Sequence, residues 1–197
     1  MNFITEKFNY RYGGFGNTCT NIIAAGISNR NDTAQWTRCN ATAKYGTYEW
    51  NGKIIDNHAE YGWGIQGLAS KDSNKYVAFE FICSSRMRCM VYDKYISHTK
   101  WLFFVPPLLV RKHEIWMDEV KYNNSWRFDY LDWLKYKIVW KEGVAKFYIN
   151  DSLVAKITKF VPKEEDNLFF NINVGASPSQ PVPGKPLVTM AKDIKLD

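Results

Sequence analysis

The sequence has no long apolar run, and this absence argues against a membrane-spanning helix. Such a helix needs about 18 consecutive apolar residues. The nearest candidate, residues 101–110, is ten residues long and is interrupted by Pro106 and Pro107. Near the amino terminus, Glu6 and Lys7 stand where a signal peptide needs its apolar stretch. We therefore expect no membrane span, and either no secretion by that route or a signal removed beforehand.

Residues that bind metals are also scarce. The chain has only three histidines, His58, His98 and His113, and they are far apart in the sequence. Its cysteines form no C-x-x-C pair, which is the spacing typical of zinc sites. No Asp-rich loop of the kind that holds calcium is present. The sequence therefore predicts neither a metal site nor a cofactor.

The four cysteines leave two interpretations open. Cys83 and Cys89 flank a short turn and would face each other on paired strands, and Cys19 would then pair with Cys39. In the loop-closure model these bridges would stabilise the fold by about 2.4 and about 3.3 kcal/mol respectively. Four buried thiols explain the same residues equally well.

The positive charge is modest and dispersed. Lys and Arg number 26 against 20 Asp and Glu, which gives a net charge of +6, but no tight basic run occurs. A nucleic-acid partner requires a concentrated basic face. We therefore predict an ordinary solvated surface and no nucleic-acid partner.

A sustained helical period is missing too, whereas strand patterns fill the chain. The clearest is an antiparallel meander over residues 135–158, in which Trp140 is predicted to be buried. A hairpin follows from Tyr76–Cys83 and Cys89–Tyr95, while Tyr61–Gly64 is predicted to form a tight turn. Further strands are predicted at Trp101–Val105, Glu114–Tyr122, Trp126–Tyr130, Leu168–Val174 and Val188–Leu196, with a Pro-rich loop at residues 177–186.

Ten or more antiparallel strands in 197 residues predict a single all-β domain, residues 1–197, built as a sandwich or a barrel. Eight Trp and twelve Tyr are more than such a core needs. Some are therefore expected on an exposed concave face, where aromatic rings stack against sugar rings. The residues considered for this role are Trp63, Trp101, Trp116, Trp126 and Trp133.

Several of these strands resemble, in the same order, the laminarinase and lichenase group of glycoside hydrolase family 16. The segment Lys135–Ile157 carries Tyr136, Ile138 and Trp140 at matching positions. Leu168–Gly175 is similar to the N-x-x-x-G strand of that family, and Lys44–Lys53 is similar to its Y-G-x-x-E-x-R-x-K strand, with Asn51 in place of the Arg. The resemblance implies a concanavalin A-like jelly roll made of two antiparallel sheets.

The catalytic motif of the family, E-x-D-x-(x)-E, is degenerate in this chain. Chain order places Glu80 on the acid/base position, but Tyr76 stands at the nucleophile position and Ala78 at the position of the Asp. A second placement uses Glu114 and Asp118, which lie four residues apart and would be about 13 Å apart along a strand. An edge strand with solvated acids is the simpler interpretation of that segment.

Three functions follow from this pattern. The first is a non-catalytic jelly roll that binds a polysaccharide or another glycan, with Glu80 supplying polar contacts. The second is an active glycoside hydrolase with a rearranged site. The third is a structural or assembly protein, with a homo-oligomer among its expected forms, whose groove is filled by its own side chains. The resemblance implies an extracellular, virion or cell-surface location.

Overall fold

The described part of the protein consists of two antiparallel sheets of seven strands each. The structure, a computed structural model, describes residues 3–7, 17–19, 22–27, 35–56, 62–72, 74–82, 86–96, 108–116, 133–176 and 187–196. Sheet A has the order β1-β4-β13-β6-β7-β8-β9, and sheet B has the order β12-β11-β10-β5-β14-β3-β2. Within the described ranges the helical structure is one 3-10 turn, Glu164–Asp166. The expected all-β jelly-roll sandwich is confirmed.

The strands of sheet A are β1 (Phe3–Lys7), β4 (Gln35–Thr42), β6 (Gly62–Ser70), β7 (Lys75–Ile82), β8 (Arg86–Ile96), β9 (Leu108–Trp116) and β13 (Leu168–Ala176). Those of sheet B are β2 (Asn17–Cys19), β3 (Ile22–Ile27), β5 (Gly46–Asp56), β10 (Leu134–Lys141), β11 (Val144–Ile149), β12 (Ser152–Ile157) and β14 (Leu187–Leu196).

Most predicted strands coincide with these elements. The meander is β10 to β12, the hairpin is β7 and β8, and the two carboxy-terminal strands are β13 and β14. The strand expected at Glu114–Tyr122 instead spans Leu108–Trp116 and lies at the edge of sheet A. The strands expected at Trp101–Val105 and Trp126–Tyr130, and the Pro-rich loop, lie outside the described residues.

Strand alternation places large apolar side chains between the sheets. Trp50 is 1% exposed and occupies the middle of this core. Its ring centroid lies 6.0 Å from that of Phe79 and 5.1 Å from that of Phe170 on sheet A. It also stacks on Tyr136 of its own sheet at 5.8 Å. Trp140 is fully buried, as predicted, and donates a hydrogen bond to the carbonyl of Pro162.

Gln66 connects the two sheets through the core. Its Oε1 accepts a hydrogen bond from Trp50 Nε1 at 2.7 Å, and its Nε2 donates to Thr189 Oγ1 at 2.6 Å. A buried amide is stable only when it is hydrogen-bonded, so these contacts explain a fully buried Gln in an apolar core. Gly52 leaves room for this bridge, because a Cβ atom there would lie 2.7 Å from the Tyr136 ring.

The turn predicted at Tyr61–Gly64 is wrong, since Gly62–Gly64 belong to β6. The glycines of this segment are typical of turns. Gly64 is instead required because two strands approach each other closely there. A Cβ atom at Gly64 would lie 2.9 Å from the carbonyl oxygen of Asn173 on β13. Sequence alone does not reveal this neighbour.

The disulfide interpretation is also wrong for both proposed pairs. Cys39 and Cys89 are buried thiols. In the β7–β8 hairpin Ile82 pairs with Arg86, and this register places Cys89 opposite Phe79 rather than opposite Cys83. Burial raises the pKa of the Cys89 thiol well above its ordinary value.

Candidate functional site

The candidate site is the surface of sheet A that is turned away from the core, here called the A face. Side chains alternate along β7, so that Val77, Phe79 and Phe81 enter the core whereas Tyr76, Ala78 and Glu80 point to the A face. The other A-face residues whose side chains are described are Arg38, Ile65, Ala69, Arg88, Met90, Tyr92, Phe169, Asn171 and Asn173.

Glu80 forms an ion pair within this face. It lies directly opposite Arg88 on β8, and Arg88 Nε donates a hydrogen bond to Glu80 Oε2. The Glu80 side chain is 13% exposed and that of Arg88 is 11% exposed. Hydrogen bonds between charged groups with little solvent are among the stronger polar contacts in proteins. One oxygen of the candidate acid/base is therefore already engaged by a cation.

The neighbouring A-face positions of β7 carry no acid. Tyr76 and Ala78 are 8% and 0% exposed, and the Tyr76 ring contacts the Tyr92 ring at 5.4 Å between centroids. Partial burial raises the pKa of Tyr92. The strand that would hold two catalytic carboxylates in a retaining glycosidase thus holds one.

Glu114 belongs to β9 and lies opposite Met90, which itself pairs with Ala78. It is therefore two strands and two residues away from Glu80, or about 12 Å between Cα atoms at ordinary sheet spacings. Asp118, the other acid considered, lies outside the described residues.

Two asparagines on β13 are the polar residues that sequence reasoning missed. Asn171 and Asn173 are fully buried on the A face, although apolar residues surround them in the sequence. Ile65 N donates to Asn173 Oδ1 at 2.8 Å, and Asn171 Nδ2 donates to the carbonyl of Phe169 at 3.3 Å. Among the residues that the structure describes, Asn171 Oδ1 and Asn173 Nδ2 have no hydrogen-bond partner. The available signal was the N-x-N spacing, which puts two amides on one side of a strand.

Arg38 lies on the neighbouring strand β4, opposite Asn171. Its guanidinium carbon is 5.3 Å from the centroid of the Phe169 ring, which is within the range of a cation–π contact. Arg38 is 5% exposed, so this half of the A face combines buried amide and guanidinium groups.

The central part of the A face is covered. Ile65, Ala69, Tyr76, Ala78 and Met90 form a second buried apolar cluster, distinct from the core between the sheets. Each is at most 8% exposed. A ligand that lies across the middle of this face must therefore displace whatever shields these side chains.

Of the predicted sugar-stacking tryptophans, Trp63 belongs to β6 and Trp116 to β9, which are both strands of sheet A. Trp133 instead precedes β10 of sheet B, where Lys192 Nζ lies 4.4 Å from its ring centroid. Trp101 and Trp126 lie outside the described residues.

Two further properties concern only the part of the chain that the structure describes. There, no three His, Cys, Asp or Glu side chains come together as ligands for a metal ion. A helix of sufficient length and apolar character to span a membrane does not occur there either.

Solved structures share this arrangement of strands. A family 16 glycoside hydrolase of Bacteroides ovatus, associated with mixed-linkage glucan and bound to its product, matches with a TM-score of 0.61 at 9% identity, covering 98% of this chain and 94% of that one. The Bacillus licheniformis β-glucanase matches with a TM-score of 0.60 at 14% identity, covering 96% of this chain and 89% of that one. The chain has the jelly-roll fold of the family 16 glycoside hydrolases.

A binding module shares the fold as well. The carbohydrate-binding module CBM66 from Bacillus subtilis matches with a TM-score of 0.55 at 11% identity, covering 98% of this chain and 92% of that one. No protein-family model matches the sequence, and no curated protein matches it. Because hydrolases and a binding module share this fold, the residues of the site must decide between these functions.

Proposed function

We propose that the protein binds a glycan through the A face and does not hydrolyse it. The observation that carries the proposal is the ion pair between Glu80 and Arg88, beside Tyr76 and Ala78. A retaining glycosidase needs two carboxyl groups about 5–5.5 Å apart, and an inverting one needs them about 6.5–9.5 Å apart. Around Glu80 the described side chains supply an arginine, a tyrosine and an alanine, and a carboxylate partner is not among them.

The amides of Asn171 and Asn173 support binding. An unpartnered buried polar atom costs about 1–3 kcal/mol. A sugar hydroxyl both donates and accepts hydrogen bonds, so sugar hydroxyl groups are complementary to Asn171 Oδ1, which accepts, and to Asn173 Nδ2, which donates. The similarity to CBM66 and to product-bound glucanases is consistent with such a ligand.

Affinity gel electrophoresis through soluble polysaccharides tests the proposal. The panel contains mixed-linkage and β-1,3-glucans, xylan, galactan and alginate. We expect at least one neutral polymer to retard the protein, with no reducing ends released. Release of reducing ends that is lost in Glu80→Gln would instead establish a hydrolase, with Glu114 as the first candidate for the second carboxylate.

The variant Asn171→Leu separates a binding role from a structural one. Leu has a similar volume and removes the unpartnered Oδ1 atom, so thermal stability is expected to be retained or increased. Polysaccharide retardation is expected to disappear. The exposed variant Lys141→Leu on sheet B is the matched control, and the neutral polymer should retard it as it retards the wild type. Retardation that survives Asn171→Leu would contradict the assignment of the site.

A structural or assembly role is the second candidate, and the covered apolar cluster on the A face favours it. If the groups that bury this cluster stay in place, the A face forms a second hydrophobic core. The fold then serves as a scaffold. This role predicts no retardation by any polysaccharide, together with self-association in sedimentation velocity. A monomer that is retarded by one polymer would exclude it.

A further inference from the structure

The opposite side of the sandwich carries a separate concentration of positive charge. The outward surface of sheet B, here called the B face, is formed by alternate residues of β5, β10, β11, β12 and β14. Eight lysines project from it: Lys53, Lys135, Lys137, Lys141, Lys146, Lys156, Lys192 and Lys195. Four carboxylates accompany them: Glu49, Glu142, Asp151 and Asp193. The described residues of the B face therefore carry a net charge of 8 − 4 = +4, and the whole chain carries +6.

Five of these lysines follow a diagonal line across the strands. Lys156 and Lys146 lie directly opposite each other on β12 and β11. Lys137 is the diagonal neighbour of Lys146, because Lys146 pairs with Val139. Lys135 follows on β10, and Asn51 separates it from Lys192 on β14. Opposite and diagonal neighbours on a sheet are about 5–8 Å apart, so the first four lysines follow one another at short intervals. Lys192 lies two strands beyond Lys135, or about 10 Å away at ordinary strand spacing.

Local contacts hold the middle of this line in place. Lys135 Nζ and Lys137 Nζ lie 2.9 and 3.2 Å from Asp151 Oδ1. Hydrogen bonds from these two lysines lower the pKa of Asp151. Lys137 Nζ is also 4.8 Å from the Tyr148 ring centroid, as Lys192 Nζ is 4.4 Å from that of Trp133.

The lysines at the outer end of the line differ from these in their ion pairing. Lys146 and Lys156 form no ion pair with any residue that the structure describes, although they face each other on adjacent strands. Like charges directly opposite each other are destabilising. An external anion relieves this repulsion, and it is the ligand class for which such a pair is complementary.

We propose that the B face binds a linear anionic polysaccharide that carries carboxylate or sulfate groups. The charge of the face requires an anion, and the diagonal order of the lysines suits a chain with charges at regular intervals. A nucleic acid fits less well, because the described B face has lysine but no arginine, and lysine ammonium groups already cover the Trp133 and Tyr148 rings on which bases would stack. A lipid surface fits less well because, among the side chains of this face that the structure describes, Leu153 at the edge is the one large apolar side chain that is well exposed.

The B face and the A face lie on opposite sheets, so this proposal does not depend on the proposed function of the A face. Binding is measured by biolayer interferometry on immobilised alginate and dextran sulfate, with neutral dextran as the reference, in 50 and 500 mM NaCl. We expect binding to both anionic polymers at low salt, none to neutral dextran, and a steep loss at high salt. The double variant Lys146→Glu with Lys156→Glu is expected to weaken binding about tenfold or more.

A variant with the same change in net charge supplies the control. Lys71→Glu with Lys163→Glu reverses two exposed lysines, one in the turn after β6 and one directly before the 3-10 turn. It should weaken binding less than threefold and should leave polysaccharide binding by the A face unchanged. Equal weakening by both double variants would reduce the effect to net charge and overturn the proposal. So would an absence of binding in 50 mM NaCl, or tighter binding to single-stranded DNA or to phosphatidylserine vesicles than to alginate.

Discussion

At the scale of single residues, the buried polar side chains differ in how completely they are hydrogen-bonded. Gln66 is satisfied on all sides, since Trp50, Thr189 and the carbonyl of Met190 are its partners. Asn171 Oδ1 and Asn173 Nδ2 are fully buried and have no hydrogen-bond partner among the described residues. Gln66 therefore holds the two sheets together, whereas Asn171 and Asn173 are the polar groups that a glycan would contact under the proposed function.

Replacing Gln66 tests the first role. Gln66→Leu leaves the Trp50 N–H and the Thr189 hydroxyl buried without a partner, so the free energy of unfolding should fall by about 2–4 kcal/mol. Urea denaturation measures the change. In the Gln66→Leu background, Thr189→Val should cost less than it does in the wild type, because the hydroxyl no longer has a partner to lose. Equal costs in the two backgrounds would show that the bridge does not couple the sheets.

The Cys89 thiol gives a pH dependence with a definite sign. Burial raises the pKa of this thiol in the folded state, whereas in the unfolded chain its pKa is about 8.5. The folded state therefore holds the proton after the unfolded state has lost it. This contribution to stability is complete below pH 8.5 and is lost as the pH rises above it, with a slope of up to about 1.4 kcal/mol per pH unit.

Chemical denaturation at pH 7, 8, 9 and 10 follows this effect. Cys89→Ala lowers stability at every pH because it leaves a cavity, but the decline between pH 8 and 10 should become shallower. Identical slopes for wild type and variant would contradict the assignment.

At the scale of elements, the meander of β10, β11 and β12 could be predicted with nearly correct bounds. The strands β10 and β11 alternate between buried and outward residues, and short turns connect the three strands, so local information was sufficient. β6 was missed because its glycines follow from close contacts with β7 and β13, which are distant in sequence. For the same reason the candidate site was only partly predicted: Glu80 followed from one strand pattern, whereas its pairing with Arg88 and the role of Asn171 depend on registers between strands.

The turn between β10 and β11 offers a local test of backbone strain. Gly143 has a φ of 64°, and a Cβ atom there would contact nothing within 4 Å. Gly143→Ala should therefore cost about 1–2 kcal/mol through backbone conformation alone. Thermal denaturation measures the loss, and Lys141→Ala, on an exposed residue of the same hairpin, is the control. A cost no larger than that of the control would mean that the turn relaxes.

At the scale of the whole molecule, the sheets are closed by contacts between distant parts of the chain. β14 lies between β5 and β3 in the interior of sheet B, whereas β1 lies at the edge of sheet A and pairs with β4 alone among the described strands. Removal of β14 is therefore expected to disrupt more of the fold than removal of β1.

Deleting residues 187–197 should abolish the cooperative unfolding transition, because both β3 and β5 lose their neighbour. Deleting residues 1–7 should leave a cooperative transition at a lower midpoint. Circular dichroism during heating distinguishes these outcomes. A cooperative transition in the variant without β14 would show that sheet B is stable as two separate parts.

The alternation of core-facing and A-face side chains along β13 has a consequence for the evolution of this protein. Phe170, Ile172 and Val174 face the core, while Asn171 and Asn173 point the other way. Under the proposed function of the A face, selection on ligand preference and selection on stability would act on different residues of the same strand. A library randomised only at positions 169, 171 and 173 would vary the side chains of the A face and so explore new specificities. Phe170, Ile172 and Val174 would keep their packing in the core.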